Sequence, residues 1–117
     1  MTMNEMGQEC HQIAVEHGFW PESRSWPYDK EQYTFNGADL MVGVKLALIH
    51  SEVSEALEEY RVKRDEQENI RNLGCELVDA IVRIVELCHY LGFDMDNAYA
   101  GIVGNNRNRP YRHSKRF

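Results

Sequence analysis

Four acidic residues on two successive predicted helices have the types and spacing needed to bind a divalent metal ion. Glu52 and Glu55 are three residues apart, and so are Glu76 and Asp79. At about 100° per residue, each pair lies on one face of its helix. Both pairs are offset by a similar angle from the apolar stripes of their helices, so antiparallel packing would bring the four carboxylates together. Mg²⁺ and Mn²⁺ prefer such oxygen ligands and would offset the repulsion between the carboxylates.

An alternative interpretation is that these acids form solvated helix faces, because Glu58 and Glu59 show that acidic residues are common there. Asp79 is the hardest to explain in that way, since it lies in the apolar segment LVDAIV and aspartate is a poor helix former. Arg83, one turn after Asp79, and Lys45 on the preceding helix have three open roles. Each can neutralise an acid, bind a phosphate or form a surface salt bridge.

The elements that position these residues are four predicted helices within one domain spanning residues 1–117. The apolar spacing and the cap residues place the helices at residues 6–17, about 39–64, about 69–91 and about 95–107. Gly18 is predicted to end the first helix. Residues 19–36 contain two prolines and predict a long irregular loop. Since no segment has the alternating polarity of a strand, we expect an all-α four-helix bundle.

The spacing of large apolar residues predicts which faces of the two long helices form the core. The stripe of the second helix is Leu46, Ile49, Val53, Leu57 and Tyr60, and that of the third is Ile70, Leu73, Leu77, Ile81, Ile84, Cys88 and Leu91. A third helix with this much apolar surface, in a chain this small, favours formation of a homo-oligomer. His50 is predicted to be a packed core histidine. The cysteines Cys10, Cys75 and Cys88 are predicted to be reduced core thiols, since no C-x-x-C zinc motif is present.

Charge and hydropathy argue against several classes of protein. The net charge of −6 over 117 residues argues against a binder of nucleic-acid polymers. No apolar run approaches the roughly 18 residues needed to span a bilayer, and the N-terminus lacks a secretion signal. We therefore expect a cytoplasmic protein without a membrane partner. Residues 107–117 carry five arginines and lysines and no acid, which predicts an anion-binding tail, with a disordered solvated end as the alternative.

Two segments carry a resemblance to a known family. The segment LIHSEVSEALEE at residues 48–59, followed by ELVD at residues 76–79, resembles the MazG-like all-α nucleotide pyrophosphohydrolases, whose signature is E-x-x-E, a spacer and E-x-x-D. Residues 18–20, Arg24 and the RPYRH segment at 109–113 also resemble parts of small family members. This resemblance covers nearly the whole chain. It implies an Mg²⁺-dependent enzyme that cleaves a nucleoside triphosphate to the monophosphate and pyrophosphate, in a homodimer or homotetramer whose sites are completed by neighbouring subunits.

The resemblance also implies roles for particular residues. The acids Glu52, Glu55, Glu76 and Asp79 match the family's metal ligands, and Asn106 matches a residue that contacts the substrate. There are two departures from the family pattern. Ser51 stands where some members have a further glutamate, and Ile102 stands where many have a lysine.

Because of the second departure, other basic residues must bind the phosphates. The candidates are Lys45, Arg109, Arg112 and Lys115. Trp20 and Trp26 are candidates for stacking on a nucleobase, and the alternative for both is to anchor the loop against the bundle. Attack on phosphorus by a water held between the metal and a carboxylate would suit these residues, with the general base left open among the four acids and Glu59.

Two other function classes stay open. Glu86-x-x-His89 has the spacing found in di-iron carboxylate bundles, although these need a second such motif and two further glutamates. The second rival is a non-catalytic helical module that dimerises for regulation or binding. For an enzyme, the base, the sugar and the biological task, such as nucleotide-pool housecleaning, are not determined by these residues.

Overall fold

A computed structural model describes residues 1–20 and 37–117, with the side chains of residues 37–39 outside the description. Its helices are α1 (Met3–Glu16), α2 (Gly37–Arg61), α3 (Glu66–Tyr90) and α4 (Met95–Asn108), followed by a 3₁₀ turn at Tyr111–Ser114. The described ranges contain no strand, so the predicted all-α class is confirmed. None of the described helices combines the length and the apolar character required to cross a membrane.

Short polar side chains fix where three of the helices begin. Thr2 Oγ1 accepts a hydrogen bond from the Glu5 backbone N–H, and the Glu5 carboxylate accepts one from the Thr2 N–H, which forms a capping box. The Asp65 carboxylate caps α3 by accepting a hydrogen bond from the Glu68 backbone N–H, and the Asp94 carboxylate caps α4 by accepting one from the Asn97 N–H. Gly18, with φ of 81°, follows α1 in the left-handed backbone conformation that favours glycine.

Reciprocal hydrogen bonds join the N-termini of α1 and α4. The Asp96 carboxylate accepts from the backbone N–H groups of Met3 (2.9 Å) and Asn4 (3.2 Å). The Asn4 side chain accepts from the Met95 N–H (2.9 Å) and donates to Asp94 (2.8 Å). An acidic side chain at a helix N-terminus is also favoured by the helix dipole. These bonds hold α4 against α1, while α3 packs against both α1 and α2.

The backbones of α1 and α3 approach closely at Gly7. A Cβ on this residue would lie 2.7 Å from the Val85 carbonyl oxygen and 2.8 Å from Met95 Cε. Only glycine fits this crossing without a shift of the backbone. The core cluster consists of Ala14, Trp20 and Leu87, against which Val15, Met41, Val42, Ile49 and Tyr90 pack.

The prediction that the large apolar stripes of α2 and α3 form the core of this chain is wrong for most of their residues, although Ile49 packs against the core cluster. Tyr60 is 67% exposed and Leu57 is 57% exposed on α2, and Leu77 and Ile81 are also exposed on α3. The two helices instead contact each other through the faces that carry the acids and the small residues Ala56 and Ala80, both buried. Small side chains let two helices approach closely, which leaves the apolar stripes pointing away from the α2–α3 contact.

Two further expectations about the interior are also wrong. His50 is exposed rather than packed in the core. Cys75 is exposed, and Cys10 and Cys88 are only partly buried. His50 lies next to the α2 stripe, and Cys88 belongs to the α3 stripe, so the exposure of His50 and the partial exposure of Cys88 follow from the outward position of these stripes.

Candidate metal centre and adjoining cavity

Three of the four predicted acids converge where α2 packs on α3. One carboxylate oxygen from each of Glu52, Glu76 and Asp79 lies within 4.8 Å of the other two. This spacing is close to the span of about 4 Å between opposite ligands of an octahedral Mg²⁺ ion. Glu52 is buried, Glu76 is partly buried and Asp79 is exposed, so the group reaches from the interior to the solvent. The donors are all oxygens, which fits Mg²⁺ or Mn²⁺.

Glu55, the fourth predicted acid, lies beside this triad. It is exposed, and its negative charge acts on the Glu76 carboxyl. Loss of solvent raises the pKa of Glu76, and the negative charges of Glu55, Asp79 and Glu52 raise it further. A carboxyl pKa raised by neighbouring acids marks the kind of repulsion that a bound cation removes. The four residues therefore form one electrostatic group, of which three are within reach of a single ion.

Arg83 on α3 forms an ion pair with Glu52, the member of the triad on α2. Its Nε donates a hydrogen bond of 2.6 Å to Glu52 Oε1, from α3 to α2. Of the roles left open by the sequence, Arg83 therefore neutralises an acid, and the partner belongs to the other helix rather than to its own. The Glu52 side chain is only 10% exposed, so this charge-assisted bond is well shielded from water.

A cavity of about 340 Å³ adjoins the acid triad. Its polar lining includes Glu52 and Asp79, together with Arg83 and Glu86 of α3. The other lining residues come from α1, from the segment after it and from α3, and are Cys10, Ile13, Ala14, His17, Phe19 and Val82. The volume and the combination of apolar walls with a few charged groups are typical of small-molecule sites.

Glu86, which lines the cavity, and Lys45, which does not, are buried charged residues with exposures of 5% and 4%. Burial raises the pKa of Glu86, and the positive charges of Lys45 and Arg83 oppose that shift. Lys45 donates a hydrogen bond of 2.9 Å to the Phe19 carbonyl oxygen and lies 4.3 Å from the centre of the Trp20 ring. Burial lowers the pKa of Lys45. Lys45 thus acts inside the bundle, where it compensates Glu86.

Trp20 is part of the core and does not line the cavity. It is 2% exposed and stacks on Tyr90 with ring centres 4.5 Å apart. His11 packs against the same ring at 5.1 Å. This placement agrees with the alternative in which Trp20 anchors the chain after α1. Trp26 and Arg24 lie outside the described residues.

The predicted anion-binding residues of the C-terminus lie together in a different place. Asn106, Arg109, Arg112 and Lys115 line a hollow of about 510 Å³ at the end of α4. In this chain that hollow is separate from the cavity beside the acids, whose lining contains none of them. The structure therefore brings the basic residues to one another and not to the acid triad of the same chain.

Sequence reasoning missed what α1 and Glu86 contribute to the site. The residues of α1 that line the cavity carry no recognisable motif. Glu86 does carry a signal, because it stands in the apolar segment IVELC as Asp79 stands in LVDAIV. The di-iron alternative gains no support, since neither Glu86 nor His89 belongs to the one metal-capable group found among the described residues.

Comparison with known proteins adds no assignment. No family model, curated protein or solved structure matches this chain. The site therefore has to be interpreted from its own residues and from the resemblance noted in the sequence.

Proposed function

We propose that this protein is a divalent-metal-dependent nucleotide pyrophosphohydrolase of the MazG-like type, which converts a nucleoside triphosphate to the monophosphate and pyrophosphate. The observation that carries this proposal is the convergence of Glu52, Glu76 and Asp79 beside a cavity of small-molecule size. The E-x-x-E and E-x-x-D pattern that supplies these acids supports the same reaction class.

In this proposal the three acids of the triad would bind Mg²⁺ or Mn²⁺, and a neighbouring acid would accept a proton from water. A bound divalent ion lowers the pKa of a water molecule and neutralises charge on a triphosphate. Glu55 lies outside the triad, but its negative charge acts on the Glu76 carboxyl, and it would accept the proton of the attacking water as general base.

We further propose that the active species is a homodimer or a homotetramer. Large apolar side chains on α2 and α3, such as Val53, Leu57 and Ile81, are about half exposed, and contiguous patches of this kind mark protein interfaces. The radius of gyration of 17.6 Å exceeds the ~13 Å of a compact domain of this length. A second copy would cover these stripes, and by the resemblance its residues would complete the site of the first.

A panel of ribo- and deoxynucleoside triphosphates incubated with Mg²⁺ or Mn²⁺ tests the activity. We expect equal amounts of monophosphate and pyrophosphate from at least one of them, measured by ion-exchange chromatography, and no release in the presence of a chelator. Absence of release across the panel, from protein with a helical circular dichroism spectrum, would contradict the proposed function. If divalent ions also left the melting temperature unchanged, the non-catalytic module would be the better description.

A further inference from the structure

The cavity beside the acid triad has a hydrogen-bond donor and an acceptor on the same helix. Arg83 and Glu86 lie three residues apart on α3, and both line the cavity. Residues at this spacing lie on the same side of a helix, so the two side chains are neighbours on the cavity wall. A ligand in this cavity therefore meets a guanidinium and a carboxyl side by side.

Both side chains have hydrogen-bonding capacity left for a ligand. Arg83 uses Nε for Glu52, which leaves its Nη groups as donors. Glu86, when ionised, accepts two hydrogen bonds and donates none. Burial raises the pKa of Glu86, and the positive charges of Lys45 and Arg83 oppose that shift by favouring the ionised form.

The remaining walls suit a flat ring. Ile13, Ala14, Phe19 and Val82 give the cavity apolar surfaces, and its volume of about 340 Å³ lies at the small end of the range for ligand sites. Because Glu52 and Asp79 line the same cavity, a ring held there lies beside the acid triad.

We propose that this cavity binds a guanine base, with Arg83 donating to O6 and Glu86 accepting from N1–H and the 2-amino group. This proposal rests on the proposed function, since it names the base of the nucleotide that the acid triad would process. The pairing edge of guanine reads acceptor, donor, donor, which complements a guanidinium next to a carboxylate.

The other bases fit this pair of side chains less well. Adenine and cytosine each place an amino group where Arg83 needs an acceptor, and a ring nitrogen acceptor where Glu86 needs a donor. Uracil and thymine satisfy Arg83 and one oxygen of Glu86, but they then place a carbonyl oxygen against the carboxylate. A buried polar group left without its partner lowers affinity strongly, so this geometry selects guanine.

Binding of nucleoside monophosphates tests the proposal without requiring hydrolysis. The probes are dGMP, dIMP, dAMP and dCMP, with GMP to test the sugar, titrated calorimetrically in Mg²⁺. We expect dGMP to bind about tenfold more tightly than dIMP, which differs only by lacking the 2-amino group, and more tightly still than dAMP and dCMP. In Glu86→Gln the preference for dGMP over dIMP should disappear, whereas Glu66→Gln, an exposed acid at the start of α3, should keep it.

The outcomes separate this inference from the function on which it rests. Equal affinity for dGMP and dIMP in the natural protein, or an unchanged preference in Glu86→Gln, overturns the guanine site. Pyrophosphate release from triphosphates of every base would then leave the proposed activity standing. Preference for dGMP without any pyrophosphate release would support the guanine site and contradict the proposed activity. If Glu86→Gln fails to fold, the natural protein's dGMP and dIMP affinities and those of Glu86→Asp decide the question.

Discussion

Arg83 Nε on α3 lies 2.6 Å from Glu52 Oε1 on α2, and this hydrogen bond joins the two helices at the edge of the carboxylate triad. The bond places a fixed positive charge next to three acids that would otherwise repel one another. The guanidinium therefore stabilises the helix pair and also opposes a cation that binds to the same acids.

Replacing Arg83 with glutamine separates these two effects. We expect Arg83→Gln to lower the free energy of unfolding in chelator by about 2 kcal/mol, the size of a hydrogen bond to a charged group. The increase in melting temperature on adding Mg²⁺ should be larger in the variant than in the natural protein, because the opposing charge is gone. Arg71→Gln, an exposed arginine on the same helix, is the control. An equal Mg²⁺ effect in all three proteins would show that Arg83 has no influence on the ion.

Asp79 tests the triad itself. Asp79→Asn removes one anionic ligand with almost no change of shape, so we expect Mg²⁺ to bind more weakly and pyrophosphate release to fall at least about a hundredfold. The measurements are the midpoint of a Mg²⁺ titration followed by thermal melting and the rate of release from the best substrate of the panel. Glu66→Gln, which removes an acid outside the triad, should retain both. A variant that keeps its full rate would exclude Asp79 from the metal centre.

The exposed stripes predict the state of assembly. Leu57 and Ile81 are 57% and 47% exposed, and glutamate at both positions would place two buried charges in any interface formed there. We expect sedimentation equilibrium to give a dimer or tetramer for the natural chain and a smaller species for the Leu57→Glu/Ile81→Glu variant. Phe93→Glu, at an exposed apolar residue between α3 and α4, should leave the mass unchanged. A monomeric natural chain would contradict the proposed assembly.

Two glycines give opposite predictions for the same substitution. At Gly7 an added Cβ would meet the Val85 carbonyl oxygen at 2.7 Å, so Gly7→Ala should destabilise the fold by about 1–3 kcal/mol. At Gly101, on α4, nothing lies within 4 Å, so Gly101→Ala should stabilise the fold by about 0.5–1 kcal/mol through helix propensity. Urea denaturation measures both. Equal effects at the two positions would mean that α1 and α3 do not cross at Gly7.

His11 makes stability depend on pH. Burial lowers its pKa below the usual 6.5, and the nearby His89 and Lys45 lower it further. A histidine with a lowered folded-state pKa stabilises the protein above pH 6.5, and this contribution is lost as the pH falls towards the folded-state value. The free energy of unfolding should therefore decrease below pH 6.5, and His11→Gln should flatten that decrease. His50→Gln, at an exposed histidine, should keep it. The same slope in all three proteins would assign the effect to other groups.

The sequence by itself determined the helices and the identity of the acids. The helix bounds predicted from apolar periodicity and caps agree with the structure to within about three residues, because capping and turn formation depend on neighbours in the chain. The spacing of three residues placed each acid pair on one helix face for the same local reason. The predicted convergence of the acids is found for Glu52, Glu76 and Asp79, whose carboxylate oxygens lie within 4.8 Å of one another.

Only the tertiary structure decided which faces meet. Hydrophobic periodicity identifies a face that avoids water, but it does not say whether that face packs within the chain or against another molecule. Here the small residues Ala56 and Ala80 and the Glu52–Arg83 bond set the α2–α3 contact, and the large apolar stripes stay outside it. The placement of Glu86 in the cavity likewise depends on α1, which is about seventy residues away along the chain and contributes through packing that no local pattern records.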